Sequence, residues 1–408
     1  MGEPATVGSA RDWSERLKGW LFGFFMLSST VFGAIYIFIP FTPLIFFYPR
    51  AWRRFADHMN GTWHSMAGSC VRLLFGVKTR IVGDKADSRE MAIYIMNHRT
   101  SLDWFFFWNG LYQQDPSLNH SEKIALKGMA KHCPGAGWAM QCNSFIFLDR
   151  KMERDKERVR RLLDYYVGIG NNYQILLFPE GTDRCPISIE SNEKYAAKMG
   201  LAPYSYLLHP RTTGFVFMVQ QMRKTGKLKA IYDVTVGYKD KIVQTETDII
   251  MEGVCPQEVH YQMIRIPIDQ LPLGDQQLAD WLVKRWADKE EKLRQFYGSP
   301  REQTFDNTPT GQEYFLTPEG ERRGNILVIG WTLGTFAWIF GLLPYPMLSL
   351  LTVYGISYYL IVCLVYGGVE FLAIERFRAW ESWNIEQKWS VIPETFQRVA
   401  AKLPFGFF

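Results

Sequence analysis

The chain has 408 residues, of which 47% are apolar and 21% charged, and its formal net charge at pH 7 is +5. A chain of this length accommodates one large soluble-type domain together with membrane segments, and its small positive charge is too weak to indicate binding to nucleic acid. The six cysteines are scattered, and because no C-x-x-C pair or zinc-type spacing occurs, we predict neither a disulfide framework nor a metal site.

The N-terminal segment is uncharged from Gly19 to Pro49. Within it, Trp20 to Ile39 is long enough to cross a hydrocarbon core of about 30 Å, and Pro40 then breaks the helix. Basic residues flank the segment on both sides, so the positive-inside rule gives no orientation. A single crossing and a re-entrant hairpin at Pro40 are both open. We predict that residues 1–52 form an N-terminal tail and a membrane segment.

Residues 53–298 are predicted to form an α/β domain. The domain opens with an amphipathic helix from Arg53 to Val77 and closes with another from Asp275 to Tyr297. Between them, strand-like runs alternate with helical ones, which indicates a mixed sheet covered by helices. The predicted strands are Thr79 to Val82, Met91 to Met96, Ser144 to Leu148, Gln174 to Phe178, Phe215 to Val219, Ala230 to Gly237 and Val259 to Ile266.

The C-terminal part is predicted to return to the membrane. Residues 299–323 are polar and contain prolines, as is typical of a linker. Gly324 to Val369 is uncharged, is long enough for two crossings and has Pro344-Tyr345-Pro346 at its centre. We therefore predict a transmembrane hairpin over residues 324–370 and a basic, aromatic tail over residues 371–408.

The most informative stretch follows the predicted strand Met91 to Met96. Thr100 followed three residues later by Asp103 is the signature of a helix N-terminus. His98 and Asp103 therefore flank a strand-to-helix bend, across which both side chains can turn into one pocket. There Asp103 can accept a hydrogen bond from one ring nitrogen of His98 and leave the other nitrogen free as a base.

Two plainer explanations compete with this one. In the first, His98 is only a hydrogen-bonded histidine of a loop. In the second, Asp103 is only an acid that caps the helix. The capping role does not exclude the orienting role, because a capping carboxylate can also orient an imidazole. The chain has no G-x-S-x-G elbow, so we predict that the hydroxyl to be activated belongs to the substrate.

Four stretches in chain order resemble the signatures of the glycerolipid acyltransferases, the family of the 1-acylglycerol-phosphate acyltransferases. They are Asn97-His98-x-x-x-x-Asp103, Phe147-Leu148-Asp149-Arg150, Phe178-Pro179-Glu180-Gly181-Thr182 and His209-Pro210-Arg211-Thr212-Thr213-Gly214-Phe215. The segments MNHRTSLDW, GWAMQ, FPEGTD and HPRTTGF together resemble the lysocardiolipin acyltransferase branch. The resemblance implies a glycerolipid acyltransferase-like fold over the domain.

The resemblance also implies roles for individual residues. His98 and Asp103 are expected to be catalytic. The residues expected to bind substrate are Arg150, Glu180, Gly181, Thr182 and Arg211. Lys127 is in none of the signatures, but it lies between the first two, and we expect it to contact a phosphate of the lipid or of CoA. A guanidinium such as that of Arg150 is suited to a bidentate contact with phosphate. Family members often have arginine directly after the threonine, whereas this chain has Asp183 and then Arg184, so we assign Arg184 no phosphate contact.

The implied activity is transfer of a fatty acyl chain from acyl-CoA to the free hydroxyl of an anionic lysophospholipid, such as lysocardiolipin or lysophosphatidylinositol. No acyl-enzyme and no cofactor are expected, since acyl-CoA is a co-substrate. The protein is expected in the bilayer of the endoplasmic reticulum with its catalytic domain facing the cytosol, where acyl-CoA is available. The alternative acceptor is 1-acylglycerol-3-phosphate, which would give phosphatidic acid. A thioesterase and a non-catalytic membrane scaffold are the rival classes.

Overall fold

The computed structural model describes residues 13–149, 151–298, 303–305, 311–342, 344–383 and 387. The chain divides into two units. The first contains Met1–Met26, Gly61–Ala125 and Asn171–Thr332, and the second contains Leu27–Asn60, Leu126–Gly170 and Leu333–Phe408. Arg150, part of the predicted linker and most of the predicted C-terminal tail lie outside the described residues. The segment boundaries predicted from the sequence stay predictions.

Strands and helices alternate through the middle of the chain. The strands are β1 (Lys78–Gly83), β2 (Met91–Met96), β3 (Glu122–Lys127), β4 (Ile146–Leu148), β5 (Gln174–Leu177), β6 (Leu228–Tyr238), β7 (Glu258–Pro267) and β8 (Glu313–Tyr314). The α-helices are α1 (Trp13–Phe32), α2 (Leu44–Phe47), α3 (Pro49–Phe75), α4 (Asp103–Gln114), α5 (Leu118–Ser121), α6 (Ala136–Cys142), α7 (Met152–Ile169), α8 (Pro186–Met199), α9 (Thr212–Lys224), α10 (Glu246–Glu252), α11 (Asp275–Gly298), α12 (Pro318–Phe336), α13 (Pro346–Tyr366) and α14 (Val369–Ser382).

The first unit is built on a mixed sheet in which the strands follow the order β3-β5-β2-β6-β7-β1-β8. Strand β2 lies in the interior and pairs in parallel with both β5 and β6, while β6 and β7 are antiparallel. All six residues of β2 are buried, as expected for a strand covered on both faces. The prediction of a mixed sheet covered by helices is therefore confirmed.

Helices α4 and α11 contact different side chains of this sheet, near neighbouring positions of strand β6. Tyr94 on β2 stacks on Tyr232 on β6, with ring centroids 4.8 Å apart, and also contacts Phe107 on α4. The next residue of β6, Asp233, pairs with Lys289 on α11 at 2.7 Å. Because successive strand residues point to opposite faces, the two helices cover opposite sides of the sheet.

One predicted strand is wrong, and two observed strands, β3 and β8, were not predicted. Phe215 to Val219 lies inside helix α9, whose buried positions recur every three or four residues, as a helix requires (Phe215, Met218, Val219 and Met222). Strand β3 opens with Glu122 and Lys123, and two charged residues do not indicate a buried strand. Both are nevertheless buried in the structure, and Glu122 accepts a hydrogen bond from Trp108 Nε1 at 2.7 Å.

Three helices are long and apolar enough to cross a membrane, and they span Trp13–Phe41, Pro318–Gly341 and Pro346–Tyr366. These helices include the predicted N-terminal span and the two predicted crossings of the C-terminal hairpin. The helix Pro346–Tyr366 begins at Pro346, the last residue of the turn that the sequence predicts at Pro344-Tyr345-Pro346. The second starts at Pro318, inside the segment predicted as a linker.

The second unit has its own apolar core. Trp138 on α6 stacks on Tyr359 on α13, with ring centroids 4.8 Å apart and rings nearly parallel. Buried residues of α2, α3 and α14 join the same cluster. The buried Arg53 on α3 pairs with Asp57 at 2.8 Å, which satisfies a charge that would otherwise be costly inside a protein.

Candidate active site

The end of strand β2 positions the predicted base. The side-chain amide of Asn97 donates to Val236 O at 3.1 Å and accepts from Val236 N at 2.8 Å, so it is fastened to strand β6. The chain then bends, and helix α4 begins at Asp103. Across this bend His98 Nδ1 lies 2.9 Å from Asp103 Oδ2. The structure thus brings the two predicted catalytic side chains into contact.

Two buried donors, besides His98, hold the Asp103 carboxylate. Its Oδ2 accepts from Thr100 N at 2.9 Å, and its Oδ1 accepts from the hydroxyl of Tyr238 at 2.6 Å. The contact with Thr100 N is the backward half of a capping box, although the helix begins at Asp103 itself. Asp103 therefore has the geometry of both a cap and an orienting group. An ionised Asp103 accepts from Nδ1–H of His98, which leaves the lone pair on Nε2.

The imidazole of His98 is also fixed by stacking. Its ring lies 4.0 Å, centroid to centroid, from the ring of Phe178, just beyond the end of strand β5. The His98 side chain is 16% exposed, whereas that of Asp103 is fully buried. In the part of the chain that the structure describes, Nε2 has no hydrogen-bond partner. One face and one nitrogen of the ring are therefore held, and the other nitrogen is available for a substrate proton.

Glu180 is buried beneath the site, with 3% of its surface exposed. Its Oε1 accepts from His98 N at 3.1 Å and from Trp286 Nε1 at 3.3 Å, and its Oε2 accepts from Leu208 N at 3.1 Å. Burial raises the pKa of this carboxyl to about 7 despite these donors. The sequence predicts Glu180 as a substrate contact, but both of its oxygens are engaged by the protein. Its geometry is that of a group that positions the backbone of His98.

The residues after Glu180 form a tight turn. Gly181 has a φ of +76° and donates its N–H to Phe178 O at 2.9 Å. A positive φ of this size favours glycine. Thr182 is half-buried, and its hydroxyl donates to Asp183 Oδ1 at 3.4 Å. Arg184 N donates to His98 O at 2.9 Å, so this turn is also fastened to the loop that carries the base.

The predicted basic residues have separate locations. Arg211 is exposed, its N–H donates to Pro179 O at 2.7 Å, and its Cδ would lie 3.3 Å from a Cβ atom added to Gly181. Its side chain therefore lies against the turn that follows Glu180. Lys127 is exposed at the end of strand β3 and belongs to the second unit. Arg150 lies outside the described residues.

Two residues that hold the site were not predicted from the sequence. Tyr238 is the last residue of strand β6 and contacts Asp103, which precedes it by 135 residues. Trp286 lies in the middle of helix α11 and contacts Glu180, which precedes it by 106 residues. Neither has a local motif around it, so no spacing in the sequence could have indicated these contacts. Phe178 belongs to the third signature, but nothing in that signature indicates that its ring stacks on the ring of His98.

Comparison with protein families matches two models to this chain. The model described as Acyltransferase matches residues 78–239, and the model described as Acyltransferase C-terminus matches residues 250–331. The first match contains the bend at His98, Glu180 and Arg211. The two family models therefore identify the chain as an acyltransferase.

Similar proteins narrow this class. The chain is 39% identical to lysocardiolipin acyltransferase 1 of Gallus gallus over 79% of this chain and 85% of the relative. It is 41% identical to lysophosphatidylinositol acyltransferase 10 of Caenorhabditis elegans over 69% of this chain and 72% of the relative. The chain belongs to the glycerolipid acyltransferase family and is similar to the lysocardiolipin acyltransferases within it. Among solved structures, the 1-acyl-sn-glycerophosphate acyltransferase of Thermotoga maritima matches with a TM-score of 0.40 and 13% identity, over 68% of this chain and 98% of that one.

Proposed function

We propose that this protein is a membrane-bound acyl-CoA:lysophospholipid O-acyltransferase. Its acceptor is an anionic lysophospholipid of the lysocardiolipin or lysophosphatidylinositol type. The observation that carries the proposal is the contact of 2.9 Å between His98 Nδ1 and Asp103 Oδ2, in a chain of the glycerolipid acyltransferase family. The names of the relatives support the acceptor class, because they specify lysocardiolipin and lysophosphatidylinositol.

The proposed reaction needs one general base and no acyl-enzyme. Nε2 of His98 removes the proton from the free hydroxyl of the lysophospholipid as that oxygen attacks the thioester carbonyl of acyl-CoA. Asp103 stabilises the imidazolium that forms. The tetrahedral intermediate then collapses, the carbon–sulfur bond breaks, and the leaving thiolate of CoA takes the proton from His98. The ester product and free CoA account for all atoms.

Backbone and basic groups near Gly181 support the remaining roles. The N–H of Gly181 itself donates within its turn, whereas the N–H groups of Thr182 and Asp183 have no acceptor among the described residues. We assign these two amides to the developing oxyanion. The exposed guanidinium of Arg211, which lies against the same turn, is assigned to the anionic headgroup.

The apolar helices support a membrane location. The lysophospholipid and the two-chain product both reside in the bilayer, and three helices of this chain are long and apolar enough to cross it. Acyl-CoA is a cytosolic metabolite, so we propose that the catalytic side faces the cytosol at the endoplasmic reticulum. Protease protection of sealed microsomes that carry the tagged protein tests this orientation.

The experiment for the activity uses purified protein with one labelled acyl-CoA and a panel of acceptors, read by mass spectrometry. The panel contains monolysocardiolipin, lysophosphatidylinositol, lysophosphatidic acid and zwitterionic lysophosphatidylcholine. We expect labelled product from the first two acceptors, and at least about a hundredfold less of it from His98→Ala. Product from lysophosphatidic acid alone would establish the 1-acylglycerol-3-phosphate acyltransferase instead. Release of CoA at full rate without an acceptor would identify a hydrolase. A folded protein without any turnover would favour the non-catalytic membrane scaffold.

A further inference from the structure

The loop Ser205–Arg211 is held by side chains from distant parts of the first unit. Ser205 N donates to Glu290 Oε1 at 2.7 Å, and the N–H groups of Tyr206 and Leu207 donate to Glu290 Oε2 at 3.0 and 3.1 Å. The next amide, that of Leu208, donates to Glu180 Oε2. Five consecutive backbone amides are accounted for in this way, since His209 N donates to Asn192 Oδ1 at 2.8 Å.

Glu290 is an unusual residue for such a task. It lies on helix α11, 3% exposed, where a carboxylate is costly unless its oxygens accept hydrogen bonds. Arg294, one turn further along the helix, approaches Glu290 Oε1 at 3.6 Å. Tyr206 of the loop stacks on Tyr297 of the same helix, with centroids 5.2 Å apart. Together these contacts fasten the middle of the loop to α11.

Helix α11 contacts both sides of the proposed active site. Trp286 donates to Glu180 Oε1, and Glu180 accepts from the backbone of His98. Four residues later on the helix, Glu290 holds the loop that ends at Arg211. One helix therefore fixes the backbone of the proposed base and, through the loop, the proposed headgroup contact.

The loop transmits its position to Arg211 over a short distance. After His209 comes Pro210, which has no N–H, and Arg211 N then donates to Pro179 O. The Arg211 side chain ends beside Gly181, within the signature that contains Glu180. A shift of residues 205–208 would therefore move Arg211 relative to His98.

We infer that Glu290 is a positioning residue for the acceptor lipid, which it serves by holding the loop Ser205–Arg211 so that Arg211 faces the headgroup. This role rests on the proposed function, since it requires an anionic acceptor. It predicts that loss of the Glu290 carboxylate weakens acceptor binding more than donor binding or turnover.

The main test is Glu290→Gln, with Glu291→Gln as the matched control. The glutamine keeps one acceptor oxygen but places an NH₂ donor against backbone N–H donors. Glu291 is the neighbouring residue, half-exposed, and its carboxylate pairs with Arg294 at 3.1 Å. We expect Glu290→Gln to raise the KM for lysophosphatidylinositol about tenfold, with kcat and the KM for acyl-CoA changed by less than about twofold. Glu291→Gln is expected to match the unsubstituted enzyme.

Hydrogen exchange of the full chain in detergent gives a readout independent of activity. The amides of residues 205–209 are expected to be protected in the unsubstituted protein and to exchange at least about tenfold faster in Glu290→Gln, while those of β2 and β6 stay unchanged. If Glu290→Gln does not fold, Glu290→Asp replaces it, because the shorter carboxylate keeps its charge and loses reach. For Glu290→Asp we expect the same changes in exchange and in acceptor KM as for Glu290→Gln, but smaller ones.

Three results would overturn the inference. The first is unchanged exchange at residues 205–209, which would mean that Glu290 does not hold the loop. The second is faster exchange with an unchanged acceptor KM, which would leave Glu290 a role in folding alone. The third is an equal rise in the KM values for donor and acceptor. A protein without acceptor-dependent turnover would instead refute the proposed function, and the exchange data would still report on the loop.

Discussion

The proposed base and the loop Ser205–Arg211 are held in different ways. His98 and its partner Asp103 are five residues apart, and one bend between a strand and a helix brings them together. The loop depends on Glu290, which is 85 residues from Ser205. The contact assigned to proton transfer thus forms between near neighbours in the chain, whereas the loop assigned to substrate alignment is held by a residue far away in the sequence. Substitutions at the bend should therefore act on kcat, and those at the loop on the acceptor KM.

The largest expected effect is that of His98→Ala. Because the proposed reaction has a single base, its removal should lower kcat by roughly 10²–10⁴-fold with the acceptor KM little changed. The side chain is partly exposed and makes one ring contact, so the unfolding temperature should stay close to that of the unsubstituted protein. Steady-state kinetics and thermal unfolding in detergent check both expectations. His132→Ala, at an exposed histidine, is the control, and activity retained in His98→Ala would rule out the base.

Asp103→Asn is expected to have the next largest effect. It distinguishes the role of Asp103 as a helix cap from its role in orienting His98. An amide keeps one acceptor oxygen but cannot stabilise the imidazolium, so kcat should fall on the order of 10³-fold. Loss of a buried carboxylate that accepts from Thr100 N and Tyr238 should also lower the free energy of unfolding by about 1–3 kcal/mol.

Asp115→Asn is the matched control, since Asp115 follows the other end of helix α4 and accepts from Ser117 N and the Ser88 hydroxyl. We expect it to lower stability while kcat is kept. If Asp103→Asn behaves like this control, with lower stability and normal kcat, Asp103 acts only as a helix cap.

The same contrast explains what could be predicted from the sequence. The bend at His98 was predictable because a strand pattern and a helix-start signal lie on either side of it within a dozen residues. The strand of Met91 to Met96 has the observed bounds, and the apolar spans near both ends follow from composition. Periodicity at Phe215 to Val219 was misjudged, because a short apolar run fits a strand and a helix equally well.

The support of the site could not be predicted in this way. Tyr238, Trp286 and Glu290 act through contacts between residues 85 to 135 positions apart in the chain. Glu290 in particular lies in a charged helix whose pattern indicates an exposed face, and only the folded structure shows that its carboxylate is buried. The resemblance assigns Glu180 to substrate because of the motif to which it belongs. The groups that its oxygens contact depend on its burial in the folded protein, which the motif does not indicate.

Arg211→Ala tests the loop at its end. Loss of the guanidinium should raise the KM for an anionic acceptor roughly 10- to 100-fold, because charge-assisted bonds to phosphate are strong, and should affect kcat less. Lys224→Ala removes the same charge at the other end of helix α9 and is the control. The effect should shrink at high salt, because screening weakens contacts with an exposed charge. An equal change in the KM for acyl-CoA would assign Arg211 to the donor instead.

The last expected effect is on stability alone and concerns Glu180, where burial and hydrogen bonding shift the pKa in opposite directions. Burial raises the pKa of this carboxyl in the folded protein to about 7, from its ordinary value of 4.5. Between these values the folded protein keeps a proton that the unfolded chain releases. The contribution of Glu180 to stability is therefore fully present below pH 4.5 and is lost as the pH rises through 7.

Thermal unfolding of the unsubstituted protein and of Glu180→Gln from pH 4 to pH 8 measures this contribution. The stability of the unsubstituted protein relative to Glu180→Gln should fall by roughly 3 kcal/mol between pH 4.5 and 7 and stay constant above that range. Glu193→Gln, at an exposed position, should show no such trend. If the difference rises with pH instead, the amides of His98 and Leu208 and the indole of Trp286 outweigh burial. The ionised carboxylate would then hold the backbone of His98 more firmly than the neutral carboxyl does.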